Sequence, residues 1–140
     1  MFVIDASVVI KWFVPEVHTD AARRWLESSH EYMSPDLLFP EAGNVIWKKV
    51  RRGELTAAEG QRLAGDLAGI AVEVIAMRGL LPDAHSLALS TGLTVYDAMY
   101  VTLAVRLDTQ VITADNRLIR TLVSHPLIAA FVRSVEDFAE

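Results

Sequence analysis

Phe2-Val3-Ile4-Asp5-Ala6-Ser7 opens the chain, and the reading of this stretch decides the fold. An apolar triplet with two β-branched residues and no polar alternation reads as a strand buried on both faces. Such strands belong to parallel sheets, where ligands gather at the carboxyl ends. Asp5 stands at such an end. The pattern returns late in the chain as Val111-Ile112-Thr113-Ala114-Asp115. If the two strands are neighbours, their ends lie ~5 Å apart. Two carboxylates at that separation repel unless one is protonated or a cation lies between them.

The rest of the chain alternates between helical and strand patterns. Ser7 to Val14 reads as a short helix ended by Pro15. Thr19 or Asp20 should cap a second helix running to about Ser28. Residues 31–33 form a weak strand candidate. A long helix follows from about Asp36 to Arg52, with Leu38, Ala42, Val45, Ile46 and Lys49 at helical spacing and Gly53 as its stop. Pro40 inside this span marks a start or a kink. Thr56-Ala57-Ala58-Glu59 is a capping box for a helix to about Ala68. A strand over 72–75, helices from Pro82 to Gly92 and from Leu93 to Leu107, and a helix from Asp115 to about Ser124 complete the pattern. Phe131 to Val135 reads as a last edge strand. Alternating strands and helices imply an α/β fold, with a parallel sheet covered on both faces.

Bulk properties narrow the function. The chain has 140 residues, 52% of them apolar, which suits one domain over 1–140 with a well-filled core. It has no cysteine, so disulfides, thiolate metal sites and cysteine nucleophiles are excluded. No signal peptide and no membrane span are expected, which points to the cytoplasm. The net charge of -5 argues against nucleic acid as a partner unless some acids face a bound cation.

Four acids stand out. Asp5 and Asp115 end apolar strands, although either could simply cap the helix that follows. Glu41 sits among Leu38, Val45 and Ile46, where an acid needs a partner. Asp97 shares a helix face with Val101 and Ala104. One shared site explains the set better than four separate coincidences. Oxygen ligands without His or Cys suit Mg²⁺, with Mn²⁺ as a substitute. The chemistry that fits is attack on a phosphodiester by a metal-activated water.

With these residues in view, the chain resembles PIN-domain ribonucleases, and among them the VapC-type toxins of toxin–antitoxin pairs. The resemblance rests on Val3-Ile4-Asp5-Ala6-Ser7-Val8-Val9-Ile10-Lys11-Trp12 and on Pro35-Asp36-Leu37-Leu38 with Glu41 and Asn44. Thr94-Val95-Tyr96-Asp97-Ala98-Met99-Tyr100 and Thr113-Ala114-Asp115-Asn116-Arg117-Leu118 complete it. It implies a three-layer α/β/α sandwich around a mostly parallel sheet, and Mg²⁺-dependent endonucleolytic cleavage of RNA. The family's acidic cluster falls by motif on Asp5, Glu41, Asp97 and Asp115. The resemblance also implies a homodimer and a cognate antitoxin. Ser7, Asn44, Thr113, Asn116 and Arg117 lie beside the acids and could support them or contact substrate, or could serve only as local backbone caps.

Other features have simpler readings. The basic run Lys48, Lys49, Arg51, Arg52 suits a helix C-terminus, with RNA contact as the alternative. Trp12, Trp25 and Trp47 should pack in the core or at an interface, and the four histidines should lie at the surface. Tyr96, Tyr100 and Leu103, read as the outer side of their helix, offer an apolar face for a dimer. Two rival functions remain: a catalytically weak PIN-like binding module and a phosphoryl-receiver-like domain. The receiver reading lacks adjacent acids after the first strand, and no Lys follows Lys49.

Overall fold

A computed structural model describes residues 1–140. Its strands are β1 (Phe2–Ile4), β2 (Tyr32–Pro35), β3 (Glu73–Ile75), β4 (Val111–Thr113) and β5 (Val132–Ser134). Its helices are α1 (Ala6–Phe13), α2 (Thr19–Leu26), α3 (Leu38–Arg51), α4 (Ala57–Ala68), α5 (Leu81–Thr91), α6 (Val95–Arg106), α7 (Asn116–Thr121) and α8 (Pro126–Ala129). A 3-10 turn over Met77–Leu80 leads into α5. The sheet order is β3-β2-β1-β4-β5, and every pairing is parallel. The sheet is therefore fully parallel. Winding outward from β1 in both directions puts the topological switch point between β1 and β4, where open α/β sheets place ligands.

Alternation along the strands builds the three layers. Ile4 and Ile112 enter one apolar cluster with Val8 and Val9 of α1, Trp25 of α2, Leu38 and Ile46 of α3, and Leu63 of α4. Val3 and Val111 enter the other with Leu80, Ala84 of α5, Val101 of α6 and Leu118 of α7. No single helix is long and apolar enough to cross a membrane.

Several local expectations change. Neither Thr19 nor Asp20 caps α2. The cap position is His18, at φ 65, with no side-chain cap bond. Thr19 Oγ1 instead accepts from the Glu16 N–H at 2.8 Å, which holds the turn after α1. Pro40 neither starts nor breaks α3, because it lies in the first turn, where backbone N–H groups have no helical partner to lose. Tyr100 and Leu103 are not on an outer face; each is 2% exposed, and only Tyr96 of that trio is open, at 62%. Trp47 is 54% exposed, with the Arg51 guanidinium 5.2 Å over its ring. His30 is half-buried, packed edge-on to Phe2, with Nε2 2.7 Å from the Ala139 carbonyl oxygen. Lys49 turns inward to pair with Glu16 at 2.7 Å, so the basic run partly serves packing.

Gly60 of α4 packs directly against Val50 and Ile46 of α3. A Cβ there would stand 2.6 Å from Val50 Cγ2, whereas one at Gly65 meets open space. Gly65→Ala should therefore stabilise the chain by up to ~1 kcal/mol through helix propensity. Gly60→Ala offers the same propensity but overpacks a stiff β-branched neighbour, and should destabilise by about 1 kcal/mol or more. Urea unfolding of the two variants checks the opposite signs.

Candidate active site

Asp5 follows β1 directly, and its backbone N–H donates to the Ile112 carbonyl at 3.4 Å, so the ends of β1 and β4 are side by side. The strand leaves the sheet here and turns into α1. Asp5 caps that helix, its Oδ1 accepting from the Val8 N–H at 3.3 Å. The same oxygen accepts from Ser7 Oγ at 2.5 Å. Ser7 Oγ in turn accepts from the Ala114 N–H at 2.9 Å, tying the two strand ends together. Thr113, fully buried, accepts the Asp115 N–H on its Oγ1 at 3.0 Å. Asp115 caps α7, its Oδ1 accepting from Arg117 N–H at 2.9 Å and Leu118 N–H at 3.4 Å. The simpler reading of both aspartates, as caps of the helices that follow, is therefore present in the structure, and each keeps a second oxygen outside its cap.

The other two acids reach the same edge from helix starts. Glu41 lies in the first turn of α3, which follows β2. Asp97 lies in the first turn of α6, which runs back toward the start of β4. Thr94 caps α6 by accepting the Asp97 N–H at 3.1 Å. Glu41 Oε1 accepts from the Tyr100 hydroxyl at 2.6 Å.

The electrostatics bind the four into one group. Burial pushes the Asp5 carboxyl up to about 7, opposed by nearby hydroxyl and backbone donors and reinforced by the Asp97 charge. Burial raises Glu41, the Tyr100 hydrogen bond lowers it, and Asp97 raises it further. Asp97 is raised by burial and by Asp115, and lowered by the Thr94 bond and the Arg117 charge. Burial, then the neighbouring Glu41 charge, drives the Tyr100 phenol well above its ordinary value. Asp97 is thus the acid that the charges of Asp5, Glu41 and Asp115 are linked through.

No salt bridge neutralises any of these acids; Asp5 Oδ2, Glu41 Oε2 and Asp115 Oδ2 accept no hydrogen bond within the chain, and Asp97 has the Thr94 hydroxyl beside its carboxylate. Free, inward carboxylate oxygens without a cationic partner fit a hard divalent cation. No three of the acids stand close enough together to close around one ion, so the arrangement is an open edge and not the four-acid cage that the sequence suggests.

The flanking residues divide. Ser7 and Thr113 are woven into the strand-end network. Asn44 and Asn116 are exposed and make no side-chain hydrogen bond within the chain. Arg117 is exposed and close enough to Asp97 to act on its charge. Tyr100 is the residue that sequence reasoning missed. Its spacing of three from Asp97 was the available signal, since i and i+3 share a helix face.

A PIN-domain family model matches residues 2–122. The chain is 36% identical over 118 residues to Ribonuclease VapC3 of Pyrobaculum aerophilum, covering 83% of this chain and 90% of that protein. Its fold is similar to a crystal structure of a Pyrobaculum aerophilum protein, with TM-score 0.71, 24% identity and coverage of 96% and 89%. It is also similar in fold to a chain of a toxin–antitoxin complex from Klebsiella pneumoniae, with TM-score 0.67, 15% identity and coverage of 99% and 100%.

Asp5 dictates a pH dependence of stability. Its carboxyl is protonated more readily folded than unfolded, so its favourable contribution is complete below the unfolded value and is lost as pH rises toward 7. A rise from 3.8 to about 7 corresponds to on the order of 4 kcal/mol between pH below 3.8 and pH above 7, of which roughly 3 kcal/mol falls between pH 5 and pH 8. With chelator present, the chain should melt at a higher temperature at pH 5 than at pH 8. Asp5→Asn, whose amide oxygen can still cap α1, should flatten that dependence. Thermal melts across pH check both expectations.

Proposed function

This chain belongs to the PIN-domain family, on the match to residues 2–122, and from that premise we propose that it is a VapC-type endoribonuclease dependent on a divalent cation. The observation that supports this best is the gathering of four carboxylates with free oxygens at one sheet edge of a chain 36% identical to a ribonuclease. Two of the carboxylates Asp5, Glu41, Asp97 and Asp115 would hold the ion across the open edge, with waters and substrate phosphate completing it, Mg²⁺ by preference and Mn²⁺ as a substitute. An open edge suits Mg²⁺, which keeps several waters and takes one or two carboxylates together with substrate phosphate. When bound, the cation neutralises the scissile phosphate and lowers the pKa of a water at the site.

The chain's own residues prepare that chemistry. Ser7 and Thr113 fix the two strand ends, so Asp5 and Asp115 present their free oxygens from a rigid frame. Burial makes Asp5 a weak acid, which lets it share a proton near neutrality while the cation is absent. Arg117, exposed and near enough to act on the Asp97 charge, would take a phosphate oxygen of the RNA. Asn44 and Asn116, exposed next to Glu41 and Asp115, offer amide groups to the same backbone.

The wider reading follows the family. The chain acts as a toxin in the cytoplasm, as one nuclease domain that pairs as a homodimer and is held inactive by a cognate antitoxin. Of Tyr96, Tyr100 and Leu103, Tyr96 alone is exposed and available to a dimer contact.

Labelled RNA incubated with the purified chain and Mn²⁺ should be cut internally, and EDTA should stop the cutting. Asp97→Asn and Asp115→Asn should each lower kcat by roughly 100-fold or more, with combined losses well short of the product. Neither variant should lower the melting temperature, because an amide removes like-charge repulsion and keeps the hydrogen-bonding shape. Cleavage that persists in EDTA and in both variants would rule out the metal-dependent mechanism.

A further inference from the structure

We propose that Tyr100 is a positioning residue for the catalytic edge, its hydroxyl holding one oxygen of Glu41 so that the other is aimed at the cation. This rests on the ribonuclease reading for its kinetic consequence, and on geometry for the rest. Tyr100 lies within the apolar cluster with Ala98, Val101 and Leu103 and is 2% exposed. A phenol hydroxyl buried there is costly unless it is bonded. The side chain it bonds is Glu41, 59 residues away, at 2.6 Å on Oε1. The phenol oxygen also faces the Ala6 backbone and the Asp5 charge. The hydroxyl therefore stands where the starts of α1, α3 and α6 meet.

The arrangement parallels the one at Asp5. There Ser7 donates to Oδ1 and leaves Oδ2 free; here Tyr100 donates to Oε1 and leaves Oε2 free. Glu41 needs the hold more, because glutamate has one more rotatable bond than aspartate and Glu41 caps no helix that would fix its carboxylate. Phenylalanine would fill the same apolar site equally well. What the hydroxyl adds is direction for a carboxylate.

Tyr100→Phe tests this, because it deletes the oxygen and keeps the ring. Two measurements are read: kcat and KM on a labelled RNA with Mn²⁺, and Mn²⁺ affinity by calorimetry without RNA. The expected result is a fall of roughly 10–100-fold in kcat or in Mn²⁺ affinity, the range for residues that orient metal ligands. RNA KM should move far less, and the melting temperature should stay near that of the wild type. In a Glu41→Gln background, adding Tyr100→Phe should cost little more. Wild-type kcat and Mn²⁺ affinity in Tyr100→Phe would overturn the proposal, as would a loss that adds in full to that of Glu41→Gln. Should Tyr100→Phe not fold, Glu41→Asp keeps the charge and withdraws it from the hydroxyl; wild-type kcat there also overturns the proposal. A wild-type chain inert toward RNA that still binds Mn²⁺ fails the ribonuclease reading alone, and calorimetry then decides the role of Tyr100.

Discussion

β1 and β4 pair in parallel and end side by side, and each is followed by an aspartate. Asp5 follows β1 directly and Asp115 comes two residues past β4, with the strand ends joined through Ser7. Like charges brought together in a poorly solvated place are unfavourable, and the surrounding structure manages that cost. Hydroxyls and helix N-termini satisfy one oxygen of Asp5, Glu41 and Asp115. Proton uptake by Asp5 relieves part of the remainder when no cation is present. Arg117 offsets part of the charge at Asp97, but no salt bridge forms with any of the four, and that unmet charge is the strongest physical argument for a ligand.

The frame that holds the charges is built from simple alternation. Ile4 and Ile112 face one helical layer, Val3 and Val111 the other, so the strands cannot slip by one residue without exchanging their faces. Trp25 closes the far side, donating its indole N–H to the Val135 carbonyl at 2.8 Å. Lys11 and Lys49 both pair with Glu16, at 3.0 and 2.7 Å, which links α1 to α3 through the turn after α1. Holding α3 against α1 in this way also fixes where Glu41 enters the site.

Much of this was legible in the residues, and the reasons are specific. β1 and β4 were readable because continuous β-branched runs have few other homes. The α4 start was readable because its capping box, Thr56 with Glu59, is a local hydrogen-bonding device that forms as written. Tyr100 was misplaced because α6 is buried from Ala98 through Ala104 without interruption. A helix buried all round has no outer side for a periodicity argument to find. The His18 cap turned on a left-handed backbone, which no side-chain pattern announces. The inward turn of Lys49 depended on Glu16, a partner 33 positions earlier that only the fold brings near. That β1 and β4 are each followed by an aspartate was legible; the spacing of the four acids was not, because an open edge and a closed cage have the same sequence signature.

The proposed divalent cation centre lies among these carboxylates, at the β1–β4 switch point. Anomalous scattering from crystals grown with Mn²⁺ tests it directly. A manganese peak is expected at the carboxyl edge, within ligand distance of oxygens from at least two of Asp5, Glu41, Asp97 and Asp115. A well-occupied peak elsewhere with none at that edge, or no peak at millimolar Mn²⁺, would contradict it.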